Sequence, residues 1–239
     1  MLKPNTHYII LSLFIFILLF GNIRGQEYDV TLWGISIGNA KLQQNTEGEI
    51  NLTIVSSEYL NYVFPINFEY YSKFDKANYK IIELNKKVEQ GKEIFKYRAA
   101  LNNDNILVYN DRESIELEPN TFSLLSFFIK VMNSQLDEID TKWFNLENEG
   151  ILYKTRLLLN DSTKVSINNE DISCDHYRLD LKIINDETKM FEKTDHFNDL
   201  FFDINSVRQI WIEKWQKKPR IIKIAIKNSL VSLNLVIKN

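Results

Sequence analysis

The sequence predicts a mainly β protein: a strongly curved antiparallel sheet, half-barrel or barrel of about ten strands, with one buried helix and one short helix. Three observations lead there. Period-two alternation recurs through most of the chain, so most strands bury one face and wet the other. About ten such strands exceed what one flat open sheet holds without curving. One helical segment is apolar on nearly every side, which asks for a concave surface to cover it.

Taken in order, the first strand carries a clue about curvature. Val30 and Leu32 keep one phase, Ile35 and Ile37 the opposite one, and Ala40 and Leu42 return to the first, with the switches at Gly34 and Gly38. A glycine at a phase change suits a bulge, which bends the strand; a crossing from one sheet to another would bend it as well. Residues 49–55 form the next strand. Residues 57–64 read as the short helix, opening on serine and glutamate and stopping before Pro65. Strands follow at 67–75 and 78–88. Phe95, Tyr97, Ala99 and Leu101 then share a face against Lys96 and Arg98, and shorter strands come at 105–110 and 114–118. Asn120 or Thr121 caps the buried helix, which runs to about Asn133. Beyond it lie strands at 151–160 and 163–169, the alternating set Tyr177, Leu179, Leu181, Ile183, and a strand at 206–214. A closing hairpin carries Ile222, Ile224, Ile226 and then Val231, Leu233, Leu235, Ile237. Turn signals at 89–91, 102–104, 160–161 and 217–219 separate these runs.

The N-terminus has a different character. An apolar run at 8–20, broken only by Ser12, follows Lys3 and precedes Gly21, Asn22, Ile23, Arg24 and Gly25, the layout of a signal peptide over 1–25. The run is shorter than the ~20 apolar residues of a spanning helix. Gly25 suits the small residue before a scissile bond, whereas Ile23 suits its position poorly, so an uncleaved anchor is the alternative. No cysteine lies nearby for a bacterial lipoprotein anchor. Residues 26–239 then form a single β-rich domain, soluble, in the periplasm or cell envelope. Of 29 basic residues Lys3 and Arg24 leave with the peptide, so 27 face 32 acidic ones, a net charge of about −5 that argues against nucleic-acid binding. The pairs Lys86-Lys87 and Lys217-Lys218 read as solvated turn residues.

No catalytic or metal motif stands out. The one cysteine, Cys174, excludes an internal disulfide. Cys174, Asp175 and His176, with Asp195 and His196 further on, are the only metal-like grouping, and they read as ordinary loop and strand residues. Cys174 and His176 on one strand are neighbours not oriented for proton transfer, and Asp137, Glu138 and Asp140 read as a solvated connection. Phe197, Leu200, Phe201, Phe202 and Ile204 are too irregular for a helix or strand. They form a mobile lip, a partner patch, or a loop tucked into the core.

Three stretches carry a resemblance. The opening Tyr28-Asp29-Val30 through Gly34-Ile35 to Gly38-Asn39-Ala40, the apolar helix around Ser126, and Ile210-Trp211-Ile212 through Pro219-Arg220-Ile221 resemble the bacterial exported family catalogued as domain of unknown function 3108. Two features depart from its pattern: Lys214-Trp215-Gln216-Lys217 fill the polar turn before the proline, and Tyr28 follows the signal peptide almost directly. The resemblance implies an envelope protein with a half-barrel sheet akin to lipid and lipoprotein carriers, and it carries no catalytic site. The expectation is thus a non-enzymatic protein without cofactor or metal, binding a lipid or other apolar ligand in a concave β surface. Its contact candidates are Phe127, Phe128, Phe197, Phe201 and Phe202. The alternative is an interaction module that binds another envelope protein through a sheet edge or the 197–204 segment.

Overall fold

A computed structural model describes residues 24–184, 191, 193–213 and 219–238. The expected signal peptide, apart from its last two residues, and the stretch 214–218 with its lysine pair lie outside them. The first half of the chain forms β1 (Arg24–Leu32), β2 (Ile35–Gln44), β3 (Glu49–Ser56), β4 (Ile66–Phe74), β5 (Ile81–Gln90), β6 (Glu93–Leu101), β7 (Ile106–Tyr109) and β8 (Glu113–Glu116). The second half forms β9 (Thr121–Phe122), β10 (Phe144–Asn148), β11 (Ile151–Ile167), β12 (Glu170–Ile183), β13 (Val207–Glu213), β14 (Arg220–Lys227) and β15 (Ser232–Ile237).

All fifteen belong to one sheet, ordered β8-β7-β6-β5-β4-β3-β2-β1-β15-β14-β13-β12-β11-β10-β9. Two meanders are thus joined at their middle, where the first strand pairs with the last, Tyr28 opposite Ile237 and Leu32 opposite Leu233. Every strand pairing is antiparallel except the short β9–β10. The sheet is open, with β8 and β9 as its edges, so the closed barrel among the expectations is not formed. The edges nevertheless face one another. Only residues 117–120 separate β8 from β9, a reach of at most about 19 Å, so the sheet curls until its ends nearly meet.

The strand count exceeds the expected ten for local reasons. Gly34 marks a tight turn between β1 and β2, with Trp33 at φ 50° and Gly34 at φ 81°, rather than a bulge in one strand. The second switch, at Gly38, is a bulge: Val30 pairs with Gly38 but Thr31 with Ser36. A Cβ on Gly38 would stand 2.1 Å from the Val55 carbonyl oxygen, so only glycine fits there. Conversely, residues 160–161 are no turn. β11 continues through them with a register shift between Leu159 and Asp161. β9 and β10 are too short to leave a periodic trace.

Among the described residues four helices accompany the sheet instead of two: α1 (Glu58–Val63), α2 (Leu124–Asn133), α3 (Leu136–Ile139) and α4 (His196–Phe202). The cap of α2 is Ser123, not Asn120 or Thr121. Ser123 Oγ accepts from the Ser126 N–H and Ser126 Oγ from the Ser123 N–H, both at 3.1 Å, a reciprocal box satisfying two donors at the helix start. Leu125, Phe127, Phe128, Ile129, Val131 and Met132 are all buried. They fill the concave face against β3, β4, β9 and β10, the buried helix that the apolar pattern predicts.

Candidate functional site

The curled sheet is fastened by a buried polar cluster. From β5, Lys86 reaches inward, only 4 % exposed, and pairs with Glu149 in the β10–β11 turn and with Asp195 just before α4. It is therefore not the solvated turn residue its neighbourhood suggests, because its side chain faces the core while Lys87 stays outside with Glu69 and Glu89. Tyr70, Tyr97 and Phe95 wall the ammonium at 5.4, 5.7 and 6.0 Å from their ring centres. Tyr70 donates to Asp195 Oδ1 at 2.7 Å, and the same oxygen caps α4 by accepting from the Asn198 N–H. Thr194 donates to Glu149 Oε1 at 3.0 Å.

A third carboxyl lies beside this cluster. Glu147 on β10 is 2 % exposed, and its Oε1 accepts from the Tyr109 hydroxyl of β7 and from the Gly150 N–H. Burial pushes the Glu147 carboxyl up to about 7, although those two donors pull the other way. Burial and the neighbouring carboxylates raise Tyr70, Tyr97 and Tyr109 well above the usual phenol value. The Lys86–Glu149, Lys86–Asp195, Tyr70–Asp195 and Tyr109–Glu147 contacts join opposite meanders, so the cluster clasps the sheet shut. A cavity of about 70 Å³ adjoins it, lined in part by Leu52, Ser72, Ser123, Leu125, Glu147 and Phe197.

Of the five apolar contact candidates, Phe127, Phe128, Phe201 and Phe202 pack in the main core, and Phe197 is half-buried beside Tyr70. The 197–204 segment divides. Its first part is α4, whose carbonyl end is held by the Arg208 guanidinium on Phe201, Asp203 and Ser206 oxygens, so the core alternative describes Phe201 and Phe202. Ile204 alone turns outward, 63 % exposed.

Cys174 is buried, and burial raises its thiol to about 11, away from the thiolate. His176 stacks on Trp211 with ring centres 4.3 Å apart and holds Asp161 with Nδ1, whereas His196 sits against Phe64 at α4. Among the described residues no three His, Cys, Asp or Glu side chains converge on a metal position.

The feature that sequence reasoning missed is at one end of the sheet. Register places the β1–β2 turn, α1 with its flanks, the β5–β6 turn, the β14–β15 turn and the loop from α4 to β13 at the same end. Nine large apolar side chains among the described residues are more than half exposed, and all nine lie there. Trp33 and Ile35 come from the first of these tips, Tyr59, Tyr62 and Val63 from α1, Ile94 from β6, Ile204 and Val207 from the α4–β13 loop, and Leu230 from the last turn. Trp33 donates its N–H to the Ser232 oxygen at 2.8 Å, which makes two of the tips direct neighbours. Residues 30–40 and 228–237 carry no charge, and 54–67 carry only Glu58. Single exposed apolar residues are ordinary, but nine gathered at one end of a sheet make that end a candidate contact surface. The signal was in the sequence as uncharged turns bearing Trp, Tyr and Leu where Asn, Asp or Lys is usual.

On the outer face of β2–β7 a wider groove of about 700 Å³ is lined by polar side chains, among them Asn51, Glu69, Tyr71, Asn85, Lys96 and Arg98. No helix of the described residues is long and apolar enough to cross a membrane. Compared with family models, curated proteins and solved structures, the chain matches none.

Proposed function

We propose that this protein is a non-catalytic, exported binding module that rests its apolar rim on a lipid bilayer of the cell envelope. One observation carries the reading: among the described residues, every large apolar side chain that is more than half exposed projects from the same end. Aromatic side chains with an apolar body and a polar edge, such as Trp33, Tyr59 and Tyr62, favour the bilayer interface. The tips at 30–40, 54–67 and 228–237 are almost without charge, and the charges that the β5–β6 turn and the α4–β13 loop add, Lys92, Glu93 and Asp203, do not sum to a positive surface, so the rim fits a zwitterionic bilayer.

Backbone strain supports the same reading. Trp33 occupies a left-handed position, φ 50°, that Asn or Gly takes at lower cost, and it is 62 % exposed. A bulky residue there gives nothing to the core. Such an outlier is the kind that contact with a partner explains.

An acyl chain in the concave face has less support. α2 and α4 occupy that surface, and the cavities beside α2 are about 70 and 20 Å³, against roughly 300–1,000 Å³ for typical ligand pockets. The test is co-sedimentation of residues 26–239 with phosphatidylcholine vesicles. Binding should persist when anionic lipid is added, and should weaken about tenfold or more in the triple variant Trp33→Ser, Tyr62→Ser, Leu230→Ser. If the protein ignores vesicles while photo-crosslinkers at those three positions capture one envelope protein, the rim serves a protein partner instead.

A further inference from the structure

The clasp holds more negative than positive groups. Lys86 is its only cation among the described residues, set against the carboxyls of Glu147, Glu149 and Asp195, each less than a tenth exposed. Unpaired buried charge is costly, so a fifth group, a proton or a cation, has to balance the set. Two features show where. Glu147 lines the cavity, and its Oε2 has no hydrogen-bond partner among the described residues, whereas its Oε1 is held by Tyr109 and Gly150. The Ser72 and Ser123 hydroxyls, 2.7 Å apart, line the same space.

The walls have already shown their preference. Tyr70 and Tyr97 present their rings to the Lys86 ammonium, an arrangement that suits cations in general. A divalent metal is disfavoured, because the described carboxyls do not converge as a three-ligand set. We propose that the cavity binds a small monovalent cation of the ammonium type, held by Glu147 Oε2 and the serine hydroxyls and exchanged for the Glu147 proton. At about 70 Å³ the space suits ammonium or methylammonium, while an alkali ion would have to find several oxygen ligands.

Proton and cation compete for one carboxylate. The titratable groups that act on Glu147 are Tyr97, Tyr109, Tyr153 and Glu149, from β6, β7, β11 and the β10–β11 turn, and Lys86 with its second partner Asp195 follows on the other side of Glu149. The tyrosines stay neutral at ordinary pH, so the Glu147 proton is the one that leaves when the cation enters. Binding therefore strengthens as pH rises through about 7 and fades below it.

The test uses residues 26–239 in the chlorides of ammonium, methylammonium, sodium, potassium and tetramethylammonium at equal ionic strength. At pH 8 the Tm should rise by a few degrees in ammonium or methylammonium over sodium, and at pH 5 the difference should vanish. In the unmutated protein, the carbon-13 signal of the Glu147 carboxyl should titrate at lower pH with ammonium present. Glu147→Gln should lose the ammonium dependence. Equal Tm values in all five salts, an equal rise that includes the bulky tetramethylammonium, or an unmoved Glu147 titration would each overturn the proposal and leave the cavity to water. A response to potassium or sodium alone would assign the site to an alkali ion and overturn the ammonium assignment.

Discussion

The clasp and the rim break the ordinary distribution of residues in opposite directions. The clasp puts one lysine and three carboxyls inside, and the rim puts tryptophan, tyrosine, isoleucine and leucine outside. The clasp's departure is compensated largely within the chain, since Lys86, Glu149, Asp195 and Tyr70 meet one another across strands far apart in sequence, and Glu147 Oε2 alone is left open beside the cavity. The rim's departure has no such compensation, because its side chains meet no other part of the described structure that covers them. Buried polarity that is answered internally holds a fold together, whereas exposed apolarity left unanswered points outward, to a partner.

If that contrast is right, the largest stability effect belongs to the clasp. Lys86→Met leaves Glu149 and Asp195 buried without their cation and should destabilise the fold by about 3–5 kcal/mol in urea denaturation. Adding Glu149→Gln and Asp195→Asn should restore much of that loss, because the penalty is the stranded charge and not the missing ammonium. Failure of that restoration would mean that Lys86 matters through its packed stem.

Glu147 makes the comparison pH-dependent. Its carboxyl titrates at 4.5 in the unfolded chain and at about 7 in the fold, so the folded state holds the proton more tightly. The associated stability is fully present below 4.5 and is lost as pH rises through about 7, on the order of 3 kcal/mol in total. Urea midpoints from pH 4.5 to 8 should fall in a buffer without ammonium, and Glu147→Gln should flatten that fall. Ser123→Ala ranks next, at about 1–2 kcal/mol, because it removes the cap of α2 and strands the Ser72 hydroxyl that it meets at 2.7 Å.

These two regions also differ in how much of them the sequence discloses. Strand faces such as Tyr177, Leu179 and Ile210, Ile212 announce themselves by alternation, and α2 by apolarity all round, because local period and burial coincide there. Gly38 was legible as a bulge, but Gly34 was not legible as a turn. A Trp-Gly turn lacks the Asn or Asp that normally signals one, and residues 30–42 keep enough alternation to pass for one strand. Lys86 could not be placed from sequence, since its partners lie at 149 and 195 and only the curl of the sheet brings them together. Edge strands as short as β9 are specified by tertiary pairing and leave no period to read. The rim was visible residue by residue but not as a surface, because its tips are adjacent only through register.

The smallest stability effect is also the sharpest probe of the contrast. Trp33→Asn replaces a strained residue by one that tolerates φ 50° well, and Trp33 contributes little burial to lose. The variant should gain stability, by about 0.5–1 kcal/mol, while its affinity for phosphatidylcholine vesicles falls. Stability and binding moving in opposite directions is what a residue kept for an outside partner produces. A residue that serves the interior should behave in the reverse sense: Ser123→Ala should lower the urea midpoint and leave vesicle affinity unchanged, since the cap of α2 lies within the fold and away from the tips. Should Trp33→Asn prove destabilising with vesicle binding intact, the indole would be packing against its neighbouring tips, and the rim would belong to the fold as the clasp does.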